Sequence, residues 1–282
     1  MLTATLSFPL ISRAATDWIP LFDGRSLAGW RANENAASWR VAGGLLTADG
    51  PRSHLFYAGP VRAANFKNFE FRADVLSRPG CNSGIYFHTK YQPSGFPAGG
   101  FEVQINNSYV GEGGYREHKK TGSLYGVRDV YKALVKDDTW FNLHIGVQGN
   151  RAQVRLNDVL LVDYVQPDPP VTAPHGEGRV IDRGTFALQC HNKGSHVSFK
   201  NIFVRPLPDD MPDSGNGRVA QPFGFALTDP YERLTRIRLF PKVTPRKALR
   251  RTGMRDPRGR KRKALKQLPK STPGHATLTS TP

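Results

Sequence analysis

Cysteine is scarce in this chain: Cys81 and Cys190 are the only two in 282 residues. At most one disulfide can form, which excludes a disulfide-stapled scaffold. Long apolar runs are missing too, and no stretch approaches the roughly 20 residues that a membrane-spanning helix requires. No H-E-x-x-H, cysteine cluster or EF-hand loop occurs, so no metal site of those kinds is written in the sequence. Aromatic residues are absent from Pro241 onward, where 13 Lys and Arg face a single Asp. Without rings to stack on bases, runs such as RKALRR and RGRKRKALK attract phosphate by charge alone, and no specific nucleic-acid partner is expected.

What is present is glycine (28), proline (22) and a net charge of +17. The charge is uneven, with +11 in residues 209–282 and +6 in the rest. The basic segment has too little apolar surface to offset its ordering entropy, and disorder is expected there. The abrupt change of composition after Pro208 also suits a frameshifted gene end. Residues 1–15, MLTATLSFPLISRAA, resemble the apolar region and cleavage site of an export signal, although the basic start is missing. An exported, periplasmic or extracellular protein is the expectation, with one domain over residues 16–208.

Within that domain short segments alternate apolar and polar residues, the period of a strand. Phe69, Phe71, Ala73 and Val75 share one face, with Glu70, Arg72 and Asp74 on the other. Ile85 and Phe87 oppose Tyr86 and His88; Phe101, Val103 and Ile105 oppose Glu102, Gln104 and Asn106. Phe186, Leu188 and Cys190 oppose Gln189 and His191, so Cys190 is expected as a buried thiol rather than half of a Cys81–Cys190 bridge. Gly43-Gly44 and Asn157-Asp158 mark hairpin turns. About ten such strands at intervals of about ten residues argue for an all-β sandwich or barrel.

Several motifs occur in order: LFDGRSLAGW at 21–30, NFEFRADV at 68–75, NSGIYFH at 82–88, GFEVQINN at 100–107, TGSLYG at 121–126, DTWFNLHI at 138–145 and GTFALQCHNKGSHVSFKNIFVRPL at 184–207. Together they resemble the 3-keto-disaccharide hydrolase family. The resemblance implies a two-sheet antiparallel jelly roll of the concanavalin type, export, and cleavage of glycosides already oxidised at C3. It also marks two departures. Asn106 and Asn107 stand where many members carry an acidic residue, and His88 stands where many carry Arg.

In a jelly roll the polar faces of one sheet form a concave groove. Strand parity offers that groove Arg72, Tyr86, His88, Glu102, Gln104, Gln189 and His191. Tyr86 suits stacking on a sugar ring, and Arg72, Gln104 and Gln189 suit its hydroxyls. A ketone at C3 acidifies the C2 proton, so a base can remove it and expel the C1 oxygen, after which water adds to the enone. Glu102, His88 and His191 are the candidates for base and acid. Arg72 or a divalent metal ion held by Glu102, His88 and His191 would stabilise the enolate. An ordinary retaining glycosidase needs two carboxylates about 5–5.5 Å apart. The strand at 101–106 supplies Glu102 alone, followed by Gln104 and Asn106, which argues against that mechanism. The alternative is a non-catalytic carbohydrate-binding module. It needs no tuned acid or base, whereas the enzyme is expected to hold Glu102 and a histidine in one enclosed pocket.

Overall fold

A computed structural model describes residues 18–171 and 179–213. The expected leader at 1–15 and almost all of the basic tail lie outside the described residues. Among the described residues no helix is long and apolar enough to cross a membrane.

Two antiparallel sheets face each other in a jelly-roll sandwich. The first runs β11 (Val159–Val165), β10 (Arg151–Leu156), β9 (Phe141–Gln148), β6 (Phe69–Ser77), β13 (His196–Pro206), β4 (Leu45–Asp49), β3 (Trp39–Ala42), with β1 (Ile19–Pro20) paired onto β13. The second runs β2 (Trp30–Ala32), β5 (Ser53–Tyr57), β12 (Thr185–Cys190), β7 (Ser83–Thr89), β8 (Phe101–Ile105). The alternation read from sequence is the reason two layers form: each sheet has one apolar face to remove from water. Phe69, Phe71, Val75, Leu143, Ile145 and Phe199 of the first sheet bury against Ile85, Phe87, Phe101, Val103, Phe186 and Leu188 of the second. Phe186 bridges the layers, its ring centroid 4.7 Å from both Phe66 and Phe71 and 4.8 Å from Phe69.

Two expected turns form. Asn157 and Asp158 both adopt positive φ (47° and 66°) between β10 and β11, the geometry of a two-residue hairpin turn. Gly43 and Gly44 do the same between β3 and β4. The motif at 21–30 proves structural: Asp23 Oδ1 accepts the Arg25 and Ser26 amides at 2.8 Å, and Trp30 donates its indole N–H to the Leu21 carbonyl at 2.7 Å. Cys81 and Cys190 are both free and buried, as expected for Cys190.

Candidate active site

The site is built on the polar face of the second sheet. Tyr86 on β7 lies opposite Glu102 on β8. On its other side Ala187 of β12 faces Tyr86, and Gln189 follows two residues along on the same face. The three side chains meet. Tyr86 donates its hydroxyl to Glu102 Oε2 at 2.8 Å, and Gln189 Nε2 donates to Glu102 Oε1 at 3.1 Å and to the Tyr86 oxygen at 3.0 Å. All three are at most 5% exposed. Gly84 gives the carboxylate its room, because a Cβ there would sit 2.4 Å from Glu102 Oε1.

Burial pushes the Glu102 carboxyl up to about 7, against the pull of the Tyr86 hydrogen bond and the Arg179 charge. Tyr86, also buried and beside that carboxylate, is held well above its ordinary value and stays protonated as a donor. A carboxyl group titrating near neutrality beside a fixed neutral donor is the arrangement a general base requires.

Loops complete the site, and here sequence reasoning missed functional candidates. Residues 122–125 run along the free edge of β8: Tyr125 N–H donates to the Glu102 carbonyl at 2.9 Å and Gly122 N–H to that of Gln104 at 3.0 Å. Tyr125 in turn donates its hydroxyl to Glu117 Oε2 at 2.9 Å, and Tyr115 bonds the same oxygen. Glu117 is buried and accepts the Lys119 amide on Oε1 at 2.8 Å. Its charge is felt at Glu102, so the fold does bring a second carboxylate near the first. It comes from an aperiodic polar loop that gave no signal in the sequence. Arg179, from a proline-rich loop, lies with its guanidinium 5.6 Å from the Tyr125 ring centroid and also acts on Glu102. His54 on β5 is fully buried and packs edge-on to Tyr86, 5.6 Å between centroids. Its strand drew no assignment from the sequence, yet His54 alternates with Leu55 as the other site residues alternate with theirs.

The remaining expected site residues are distributed differently. Gln104 is buried on β8 beside Gly84, on the same face as Glu102. His191 follows β12 and packs against Phe96 and Tyr109 at 5.3 and 6.2 Å rather than on Glu102. His88 is a correction. Between Tyr86 and Thr89 β7 has one residue more than β12 has between Ala187 and Thr185. This bulge, with His88 at φ 54°, turns the imidazole out of the parity its neighbours obey. His88 Nε2 lies 2.9 Å from the Lys67 carbonyl, and Nδ1 accepts the Asp182 amide at 3.2 Å, so both nitrogens are used by backbone. Lys67 and Asp182 line a separate polar cleft of about 370 Å³. Arg72 is a second correction: it sits on β6 of the first sheet, its guanidinium over the Trp18 and Phe203 rings at 4.3 and 5.1 Å. Parity gave its face correctly but could not say which sheet.

The same geometry bears on a metal. Glu102, His88 and His191 do not converge, and among the described residues no group of three His, Cys, Asp or Glu side chains is placed to hold an ion. These three residues, the candidates for a metal site, do not form one. Asn106 and Asn107, at the departure from the family pattern, anchor loops instead: Asn106 Nδ2 donates to the Lys119 carbonyl and Asn107 Nδ2 to Ser77 Oγ, both at 2.9 Å.

The sequence profile of the 3-keto-alpha-glucoside-1,2-lyase-like domain matches residues 17–205. The chain belongs to this family. Two crystal structures of putative glycosyl hydrolases from Parabacteroides distasonis share the fold of the 3-keto-glucoside lyase-like domain described here. One has a TM-score of 0.56 at 20% identity, covering 68% of this chain and 94% of its own. The other has a TM-score of 0.54 at 23% identity, covering 68% of this chain and all of its own, 100%. No curated protein matches the sequence.

Proposed function

We propose that the protein cleaves 3-keto glycosides by elimination across C1 and C2, with Glu102 as the base. The observation that carries this is one buried carboxyl group titrating near 7, held by Tyr86 and Gln189 on the polar face of the second sheet. The 3-keto group makes C2–H acidic. Glu102 takes that proton, the C2–H electrons become the C1=C2 bond, and the C1–O bond breaks with its pair on the leaving oxygen. Returning the proton from Glu102 to that oxygen balances the step. The products are the free alcohol and a sugar enone; water adding across C1=C2 then gives the 3-keto sugar, a net hydrolysis. Arg179 is the positive group available to the enolate oxygen, while the Tyr86 hydroxyl stays committed to Glu102.

This reading suits a site whose second carboxylate is occupied. Glu117 already accepts two tyrosine hydroxyls and an amide, so it is poorly placed to serve as the nucleophile of a retaining glycosidase. The family description supports the substrate class. A second reading, a sugar-binding module, is favoured by two observations: no histidine hydrogen-bonds Glu102 among the described residues, and Tyr91, Phe96 and Tyr115 are exposed rings of the kind that stack on sugars.

The test is incubation with a chromogenic 3-keto-α-glucoside, with and without chelator, following aglycone release together with enone formation. Release from the 3-keto substrate but not from the unoxidised glucoside, abolished in Glu102→Gln, supports the enzyme. Binding without release at any pH between about 5 and 9 would establish the module instead.

A further inference from the structure

Among the described residues, four buried polar atoms on or just after β5 and β12 have no hydrogen-bond partner: both ring nitrogens of His54, Nδ1 of His191 and Oε1 of Gln189. Buried polar atoms are almost always paired, so a group of orphans at one place points to something that binds there. His54 is fully buried, and register pairs it with Gln189 across β5 and β12. The amide of Gln189 has its orientation fixed, since Nε2 is committed to Glu102 and Tyr86. Its oxygen is thereby the end left over.

One exposed ring covers these groups. Phe96 packs 5.5 Å from the His54 ring and 5.3 Å from the His191 ring, yet is itself 42% exposed. Its loop is tied to the neighbouring segment at Gly95, whose N–H donates to Glu34 Oε1 at 3.2 Å and whose carbonyl accepts Asn33 Nδ2 at 3.3 Å, and Gln92 braces it from within by donating to the Ser94 and Phe96 carbonyls at 2.8 and 2.6 Å. Arg52, paired with Glu34 at 2.7 Å, lies 5.0 Å from the Phe96 ring centroid. A hydrophobic plate on a loop, over two imidazoles and an amide oxygen, has the chemistry of a sugar subsite: a face for C–H groups and both donors and acceptors for hydroxyls.

We infer that His54, His191, Gln189 and Phe96 form a second subsite, taking the sugar ring joined through the scissile bond to the 3-keto ring over Glu102. This rests on the function proposed above. The spacing argues for a second ring. His54 stands on β5, three strands from Glu102 on β8 at about 4.8 Å per strand. Gln189, on β12 between them, reaches Glu102 with Nε2 and is the register partner of His54, so a ring over Glu102 and a ring over His54 would meet at this amide. Phe96 must swing aside to admit the ring and then stacks on it.

The experiment compares a disaccharide with a substrate that has no second ring. Wild type, His54→Phe, His54→Gln and Phe96→Ala are assayed for kcat/KM on 3-keto-maltose and on methyl 3-keto-α-glucoside. The expected result is a loss of about tenfold to a hundredfold on the disaccharide in His54→Phe, the size expected when a site loses hydrogen bonds to substrate hydroxyls. The loss on the methyl glycoside should be at least about tenfold smaller than that on the disaccharide, Gln should restore part of the loss, and Phe96→Ala should raise KM for the disaccharide alone. Equal losses on both substrates, or none on either, as when the orphans hold only a buried water, overturn the subsite. Calorimetric binding of unoxidised maltose separates this inference from the enzyme reading. If no 3-keto substrate is turned over but maltose binds wild type and not His54→Phe, the subsite stands and the catalytic reading falls. If maltose binding is absent or indifferent to His54 and Phe96, the subsite falls.

Discussion

The two sheets carry similar polar alternation on their outward faces, and they use it in opposite ways. On the first sheet charged groups pair with neighbours on adjacent strands. Arg205 bonds the buried Glu70, Asp74 accepts Asn142 at 2.9 Å and Asn201 at 2.7 Å, and Arg151 pairs with Asp163. On the second sheet loops cover the face. Among the described residues no cation is bonded to Glu102, and the His54 ring nitrogens, His191 Nδ1 and Gln189 Oε1 lack partners. A paired polar face holds strands together; a loop-covered one suits the ligand site proposed above. The difference lies in the loops at 90–100 and 107–130, which bring Phe96, Glu117 and Tyr125 over one sheet.

Exchanging single carboxylates between the two faces is the sharpest way to break this contrast. Glu102→Gln should lower turnover of a 3-keto glycoside by about a hundredfold to ten-thousandfold, the range for removing a general base. It should also melt higher at neutral pH. The folded Glu102 carboxyl titrates near 7 against an ordinary 4.5, so between those values the unfolded chain has released a proton that the folded one keeps, and stability falls as pH rises. Glu70→Gln on the first sheet should do the reverse: leave turnover within about twofold while destabilising by about 2 kcal/mol, because the buried pair with Arg205 loses its negative charge. Calorimetric melting beside single-substrate kinetics checks both.

Gly84→Ala is the next largest effect. With a Cβ driven toward Glu102, the carboxylate must shift, and about a hundredfold loss of kcat is expected with the fold intact by circular dichroism. Tyr86→Phe sharpens the electrostatic side. The Tyr86 hydrogen bond holds the Glu102 value down, so its removal should move the rising limb of the pH–kcat/KM profile above about 7. The smallest effect concerns stability in acid. Burial lowers His88 to about 4 and His54 and His144 to about 3. Each stays neutral in the fold while the unfolded chain takes a proton below its ordinary 6.5, so their contribution is full above 6.5 and is lost as pH falls toward those values. His88→Gln should flatten the fall in melting temperature between pH 6.5 and about 4, read by scanning calorimetry.

Much of this was legible beforehand because a period of two is a local property. Glu102, Tyr86, Gln104 and Gln189 share one sheet face as their alternation requires, and Phe69, Phe71, Phe87 and Phe186 fill the core. His88 escaped the rule through one extra residue in β7, which alternation cannot reveal. Arg72 obeyed it on the wrong sheet, since parity assigns a face and says nothing about which layer a strand joins. Glu117, Arg179 and Tyr115 belong to segments without periodicity, where only the path of the backbone decides what a side chain meets.

By itself, then, the sequence determined two apolar faces, the turns that let them stack, and the family motifs of residues 21–207. These depend on neighbours along the chain and on the removal of apolar surface from water. Tertiary structure alone decided that Glu102 is buried, that tyrosine and amide rather than histidine hold it, and that the His54 ring packs edge-on to Tyr86. Those are contacts between residues far apart in sequence, and the shift of a carboxyl group to about 7 exists only once such contacts have excluded water.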